Sequence, residues 1–478
     1  MPNRAATTAA LLSATFMVFL DVSIVNVASP AIRQSLDAST GSVELVASVY
    51  TLTFACVLIA AGRLGDRYGY RRLYAIGMAT FTLASALCAL SFSITWLIGA
   101  RALQGLGAGV MAPQVLSIIQ RAFPAQQRGR LFAAYGSAIG LATVTGPVLG
   151  GLLIQLRMPG FDWRLVFAIN LPVGIAALWG LRLLPVSPHR ERTTLDPIGT
   201  VLAVAGLVLL VYPLAMGHSA GWPWWLITMI CAAPVALAIL VAHQLSRQRR
   251  GRWPLLKLVL LRDPGFRAGL VAVAAFFAGV PPFFFFLSVY LQAGFGHSAL
   301  VAGLTQLPFA AATGAASRWS APLTARLGRA VLVKATGTLA LSMLVLAAIV
   351  VTRGADARPW ELAVPMALGG ACFGVFTTTA FTSALAHVPP DATGSASGLL
   401  TTVQQAAGSI GLTLGGLVFY SAASTSDSGA VRDGHVSGFA HLLSYEAVVF
   451  VLACAASLAL DRQRATSSRT PATVSTQK

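Results

Sequence analysis

Stretches of roughly twenty apolar residues follow one another along most of the chain, separated by short loops that hold most of its charge. They centre near residues 17, 52, 83, 107, 143, 174, 206, 232, 279, 307, 341, 373, 409 and 451. A block of that length crosses the hydrocarbon core of a bilayer, where no water is present to bond its backbone. The α-helix, which satisfies its own N–H and C=O groups, is the form such a block takes. Only 10% of the 478 residues are charged, against about 25% in soluble proteins. The pattern predicts an all-α integral membrane protein with 14 transmembrane helices.

The net charge of +18 would suggest nucleic acid in a soluble protein. Here the arginines sit between apolar blocks, so topology is the better explanation. With the N-terminus inside, the outer loops and span ends hold six basic residues (Arg33, Arg157, Arg164, Arg353, Arg358, Arg432). Arg101 lies within a span, and the other 26 of the 33 fall on the cytoplasmic side. That bias predicts a multi-pass protein of the cell membrane with both termini cytoplasmic, meeting lipid but no nucleic acid. The first block follows a single arginine, Arg4, and contains Asp21, so a retained span is expected rather than a cleaved signal. The five cysteines are scattered inside apolar blocks, and none of their spacings suits a metal.

Internal matches divide the chain. Gly62–Leu73 reads GRLGDRYGYRRL and has an echo at Ala321–Arg329, in which Leu64, Arg67 and Gly69 match Leu323, Arg326 and Gly328 at an offset of 259. Asp66 has no counterpart there, because Ala325 stands in its place. At an offset of 265, Gly105 and Gly109 fall on Gly370 and Gly374, and Gly146, Gly150 and Gly151 on Gly411, Gly415 and Gly416. Two six-helix repeats in the same orientation are expected, at 1–185 and 262–461. Between them, 186–261 holds two inserted spans and a basic segment whose apolar centre, Trp253–Leu261, suggests a helix lying in the interface. The polar tail 462–478 is expected to be disordered. Parallel six-span halves around a midplane cavity are a common build among secondary transporters.

Few ionisable groups lie inside the spans. Asp21 in span 1 and Arg101 in span 4 are placed at similar depth in the first repeat. A charge in the core costs at least about 2.5–3.5 kcal/mol, so these two are functional candidates, with a static ion pair as the alternative. Desolvation and a neighbouring arginine pull a carboxyl in opposite directions, so its protonation can follow conformation. Pro147, among Gly146, Gly150 and Gly151 in span 5, removes one helix hydrogen bond and bends the span. Phe283 and Phe284 in span 9 either line an aromatic cavity or face lipid. No nucleotide-binding loop is present, so intrinsic ATP-driven pumping is not expected.

These stretches together resemble the major facilitator superfamily, and within it the fourteen-span drug:proton antiporters. Gly62–Leu73 resembles the loop 2–3 motif, with Gly65 and Tyr70 as departures. Leu20–Pro30, containing Asp21 and Asn26, resembles the span 1 motif, and Arg101–Gly105, containing Gln104, the span 4 motif. Gly146–Gly151 resembles the span 5 antiporter motif, and Asp162–Pro172 the opening of span 6. The resemblance implies proton coupling by Asp21 and Arg101, and makes Asn26 and Gln104 cavity candidates beside Phe283 and Phe284. It implies a cytoplasmic gate at Gly62, Asp66, Arg67, Gly69, Arg71 and Arg72, with Asp66 near a helix N-terminus. A monomer that needs no cofactor or metal, exchanging protons for a small amphipathic compound, is the expected whole. The alternative is an uptake symporter or uniporter for a metabolite. A non-transporting membrane sensor or scaffold is disfavoured by the intact Asp21, Arg101 and Asp66.

Overall fold

The computed structural model describes residues 4–156, 163–183, 196–251, 254–255, 258–328, 330–354, 358–385, 388–389, 392–424 and 431–467, and all regular structure among them is helical. In chain order the first set is α1 (Arg4–Ser35), α2 (Thr40–Tyr68), α3 (Tyr70–Ala89), α4 (Ile94–Ala122), α5 (Ala125–Gln155), α6 (Leu165–Ala168) and α7 (Asn170–Gly180). Then come α8 (Pro197–Ala220) and α9 (Trp224–Arg249). The second set is α10 (Pro264–Val289), α11 (Ala299–Ser317), α12 (Ser320–Leu327), α13 (Ala330–Arg353), α14 (Ala363–Leu385), α15 (Thr393–Ser424) and α16 (Val431–Ser467). α10 runs on into one π-helical turn, Tyr290–Gly294.

Among the described residues, eleven helices are long and apolar enough to cross a membrane, or twelve with α2, which bends by 50°. α6 and α7 form a shorter apolar segment, Leu165–Gly180, and α11 is not among the eleven. Outward faces carry large apolar side chains such as Trp179, Trp224 and Val364, each more than 70% exposed. In water such surface would be unstable; against lipid tails it is solvated.

Helix pairs pack through glycine, and the same contacts occur in both sets. A Cβ on Gly105 would lie 2.4 Å from the carbonyl oxygen of Tyr50, and one on Gly370 would lie 2.0 Å from that of Phe309. Gly109 meets the carbonyl of Phe54, and Gly374 that of Thr313. Tyr50 to Phe309 and Phe54 to Thr313 are each 259 residues, whereas the glycines are 265 apart. Both offsets read from the sequence thus meet in one helix–helix contact. Backbones approach this closely only where no side chain intervenes, which is how helices gain dispersion energy in lipid.

α5 lies between α1 and α11. Gly146 and Gly150 face Ser23 and Ile24 of α1, while Gly140 and Val148 face Thr313 and Gly303 of α11. The inserted pair sits outside this arrangement, with α8 packed on α9, α2 and α15. The hydroxyl of Thr413 in α15 donates to the carbonyl of Leu214 in α8 at 2.9 Å.

Two expectations are corrected. The described part of the segment after α9 is not an interfacial helix: it holds one 3-10 turn, Leu258–Arg262, and Leu255 and Leu260 are buried. Pro254 and Leu255 instead lie across the end of α2, where their carbonyls satisfy Arg63. The tail is helical as far as Ser467, since Arg-Gln-Arg-Ala holds no helix breaker; residues 468–478 lie outside the described residues. Asp21 lies near the middle of α1, which continues to Ser35.

Candidate functional site

Asp21, Ser85, Arg101, Gln104 and Asn170 converge from α1, α3, α4 and α7 into one cluster, each at most 1% exposed. Arg101 Nη1 donates to Asp21 Oδ2 and, at 2.7 Å, to Gln104 Oε1. Gln104 Nε2 donates to Asp21 Oδ1 at 2.7 Å and to Ser85 at 2.8 Å. Asn170 Nδ2 adds a third donor to the carboxylate at 3.2 Å. The guanidinium donates from Nε to the carbonyl of Val46 at 3.1 Å and lies 4.2 Å from the ring centre of Tyr50. Burying an ion costs several kcal/mol, and here the opposite charge and the neutral donors offset that cost. One acceptor is left over: Asn170 Oδ1 is buried without a partner.

A second buried carboxylate joins the two helix sets. Asp66 lies near the C-terminal end of α2, where its own helix dipole disfavours it, so the expected N-terminal position is not what α2 provides. The favourable dipole comes from another helix, because Asp66 Oδ1 accepts the backbone N–H of Gly394, the second residue of α15, at 3.2 Å. Tyr70 donates to the same oxygen at 2.5 Å, and Arg63 Nη1 is 3.5 Å from Oδ2. The two departures from the loop motif fit each other: a Cβ on Gly65 would lie 2.7 Å from the Tyr70 ring. Gly69, at φ +94, turns the chain between α2 and α3 in a conformation that favours glycine. Arg67 lies 5.3 Å from the Tyr68 ring rather than on Asp66; Arg71 is half-buried and Arg72 exposed. In the echo, Arg326 is exposed.

Between the sets lies a cavity of about 480 Å³. Its wall includes Val18, Phe19 and Ser23 of α1, Thr51 of α2, Gly140, Thr143 and Pro147 of α5, and Phe277, Pro281, Phe284 and Phe285 of α10. Gln306, Phe373, Gln404, Gln405 and Leu412 are among the residues of its far side. Gln404 is ten residues beyond Gly394, about 15 Å along α15. The cavity therefore stops short of the Asp66 end. Among the described residues, none of α8 or α9 lines it.

Of the cavity candidates, Phe284 is on the wall. Phe283 is buried behind it with ring centres 5.1 Å apart, Gln104 belongs to the Asp21 cluster, and the Asn26 side chain lies outside the described residues. Pro147 is on the wall, Gly146 and Gly150 are behind it against α1, and Gly151 is buried. Sequence reasoning missed Arg63, Tyr70 and Gly394 at the gate and gave Asn170 no role. A polar residue in an apolar span is the signal that Asn170 offered.

A third cluster holds the inserted pair. Asp196 caps α8 by accepting the N–H of Gly199 at 2.9 Å, and takes Gln244 at 2.9 Å, His243 at 3.1 Å and Arg247 at 3.4 Å from α9. Burial works to raise the Asp196 carboxyl, but these partners outweigh it and hold it below the usual carboxylate range.

No group of three His, Cys, Asp or Glu among the described residues is placed to hold a metal. Solved structures with the same fold include the proton:xylose symporter XylE bound to 6-bromo-6-deoxy-D-glucose (TM-score 0.65, 15% identity, 94% of each chain) and the human organic anion transporter MFSD10 (TM-score 0.61, 16% identity, 95% and 97%). In sequence the chain is 36% identical to the probable actinorhodin transporter of Streptomyces coelicolor, over 90% of this chain and 75% of the relative. It is 32% identical to the tetracenomycin C resistance and export protein of Streptomyces glaucescens (85% and 74%) and 31% identical to the methylenomycin A resistance protein of Bacillus subtilis (84% and 85%). The model of the Major Facilitator Superfamily matches residues 11–412, and the chain belongs to that superfamily of membrane transporters.

Proposed function

We propose that the chain is a proton-coupled exporter of small amphipathic organic compounds, of the fourteen-span drug:proton antiporter kind, working by alternating access. α1–α5, the joined α6–α7, α8–α11 and α13–α16 would make the fourteen spans. Residues 1–185 and 262–461 are the two repeats in this reading, and the recurring glycine contacts support it. The Asp66 end is cytoplasmic, with both termini, which the basic residues of that side support. The cavity then faces outward, and the Gly394 lock closes the inner end. The working unit is a monomer in the plasma membrane, with substrate, protons and lipid as its partners.

The observation that carries the reading is the Asp21 cluster beside the cavity. A proton on Asp21 turns an acceptor into a donor and weakens its bond to Arg101, which then joins a cation to a neutral acid instead of two opposite charges. The spare acceptor on Asn170 offers that new O–H a partner. Proton loading is thereby tied to a rearrangement between α1, α4 and α7, and Ser23, two residues from Asp21, is on the cavity wall. Export rather than uptake is supported by the resistance and export roles named for the relatives.

Drug accumulation in cells with and without the chain, with a protonophore control, tests this. Lower accumulation that the protonophore abolishes is expected. Higher accumulation in cells carrying the chain would replace export with uptake, and a protonophore-insensitive difference would remove the proton.

A further inference from the structure

The described residues on the cavity wall are all uncharged. The apolar part is built around Phe19, Phe277, Phe284, Phe285 and Phe373, and the polar part from glutamine, serine and threonine. Two of those glutamines carry an unmet group. Gln306 Oε1 is an acceptor with no partner and Gln404 Nε2 a donor with none, on side chains 1% and 3% exposed. Each of these atoms has almost no accessible surface, so a guest meets it only when the amide turns toward the cavity; a bond made there relieves the cost of leaving the amide unpaired. Gln292 and Gln405 stand on the same wall, so donors and acceptors of both signs are available to one guest.

The nearest charges do not change this balance. Asp21 is enclosed and paired with Arg101, so the cluster is neutral when Asp21 is ionised. Once Asp21 takes a proton, Arg101 leaves the cluster at +1. In neither state is the net charge negative, so an organic cation would lose its hydration and gain no counter-charge. Phenyl faces do attract cations, yet Phe284 meets Phe283 and Phe309 edge to face, which commits part of that surface to its neighbours. Glu446, the buried acid of α16, is not on the wall.

From this wall we infer that the cavity takes an uncharged, planar polycyclic molecule bearing carbonyl, amide or hydroxyl groups, and discriminates against lipophilic cations. Its volume is within the range of about 300–1,000 Å³ that encloses drug-sized ligands. Rings stack on the phenylalanines while the glutamines read the polar rim. The inference rests on the export reading for its physiological sense, but the binding it describes does not depend on transport.

Isothermal titration of the purified full chain with two probes tests it: an uncharged, carboxamide-substituted anthraquinone, and ethidium. The anthraquinone is expected to bind at least about tenfold more tightly. Gln306→Leu and Gln404→Leu should each weaken it by roughly three- to tenfold while leaving ethidium unchanged. Gln405→Glu should tighten ethidium by about tenfold or more. Ethidium binding as tightly as the anthraquinone to the unaltered chain, or neither probe binding, would overturn the inference. Proteoliposomes under an imposed pH gradient separate the two readings. An anthraquinone that binds but is not moved would remove the export reading and leave this inference standing, whereas ethidium bound and exported would do the reverse.

Discussion

Asp66 and Gly394 are 328 residues apart in sequence and joined by a carboxylate–amide hydrogen bond of 3.2 Å. The contact is close on both sides: a Cβ on Gly394 would lie 2.4 Å from Asp66 Oδ1 and 2.3 Å from the carbonyl of Gly62. Arg63 then reaches the carbonyls of Pro254 and Leu255, and Ser395 also donates to Leu255 at 3.1 Å. One acid thus draws α2, α15 and the segment leading to α10 together.

Asp66→Ala leaves Arg63 buried without its carboxylate, a loss of about 3–5 kcal/mol for a buried pair. It should loosen this end of the molecule. With the native cysteines replaced, a cysteine at Ser397, wholly buried one turn into α15, reports on it. Labelling by a water-soluble maleimide should rise at least about tenfold, the factor that 1.4 kcal/mol represents. An unchanged rate would show that the contact does not hold the halves together.

Asp21→Asn keeps the shape of the side chain and removes its charge. Substrate movement driven by a pH gradient in proteoliposomes should fall to background, while the chain still elutes as a single species on gel filtration. Asp21→Ala should also lower thermal stability, by about 3–5 kcal/mol, because Arg101 loses its counter-charge. Full gradient-driven transport by the asparagine variant would exclude Asp21 as the coupled acid.

Glu446 is fully buried in α16 with neither carboxyl oxygen partnered. Replacing such a group by an apolar one of similar shape removes a desolvation penalty of about 1–3 kcal/mol. Glu446→Leu is therefore expected to raise the melting temperature in detergent, and a large fall would reveal a partner that this conformation lacks.

Gly105→Ala and Gly99→Ala are matched changes on one helix. The first puts a methyl 2.4 Å from a backbone carbonyl, and the second meets nothing within 4 Å. Overpacking costs typically about 1–3 kcal/mol, whereas alanine in an open helical position gains roughly 0.5–1 kcal/mol. Opposite shifts in melting temperature are expected, and equal shifts would contradict the close α2–α4 approach.

Asp196 gives a pH dependence. Its carboxyl is held below the usual range, so it contributes stability that is fully present above the ordinary value near 3.9 and is lost as pH falls through its lower folded value. Protection of the α8 amides, relative to their intrinsic exchange rate, should hold at pH 5 and fall only in stronger acid. Asp196→Ala should remove the cap at a cost of about 0.5–2 kcal/mol and lower that protection at every pH. Full protection in that variant would rule the cap out.

Much of the frame is legible in the sequence because apolar length and glycine spacing are one-dimensional signals. The two offsets are an example: each belongs to one helix, and both meet at Gly105 and Gly370. The Asp21–Arg101 pair is legible for the same reason, since an acid and a base at similar depth in apolar spans of one repeat need each other. The partner of Asp66 is not, because a backbone N–H is common to almost every residue and leaves no mark at position 394. Nor is the role of Tyr70, which looks like a substitution until its ring is seen resting on Gly65. The segment around Leu255 misleads for a related reason: its basic residues suggest headgroups, whereas its carbonyls do the bonding.

α5 has backbone-close contact on two sides, with Ser23 and Ile24 on one and Thr313 and Gly303 on the other. Interlocked side chains resist sliding as gear teeth do, while surfaces pared down to glycine do not. In the alternating-access reading proposed above, α5 would serve as a plain bearing for the tilt of one half over the other, each of its contacts having a glycine on one side and so little to lift out of the way. Resistance to such a tilt is then concentrated where polar bonds cross between the halves, at Asp66 with Gly394 and at Gln120 with the carbonyl of Leu385. Friction is low along the axle, and the detents are at its end.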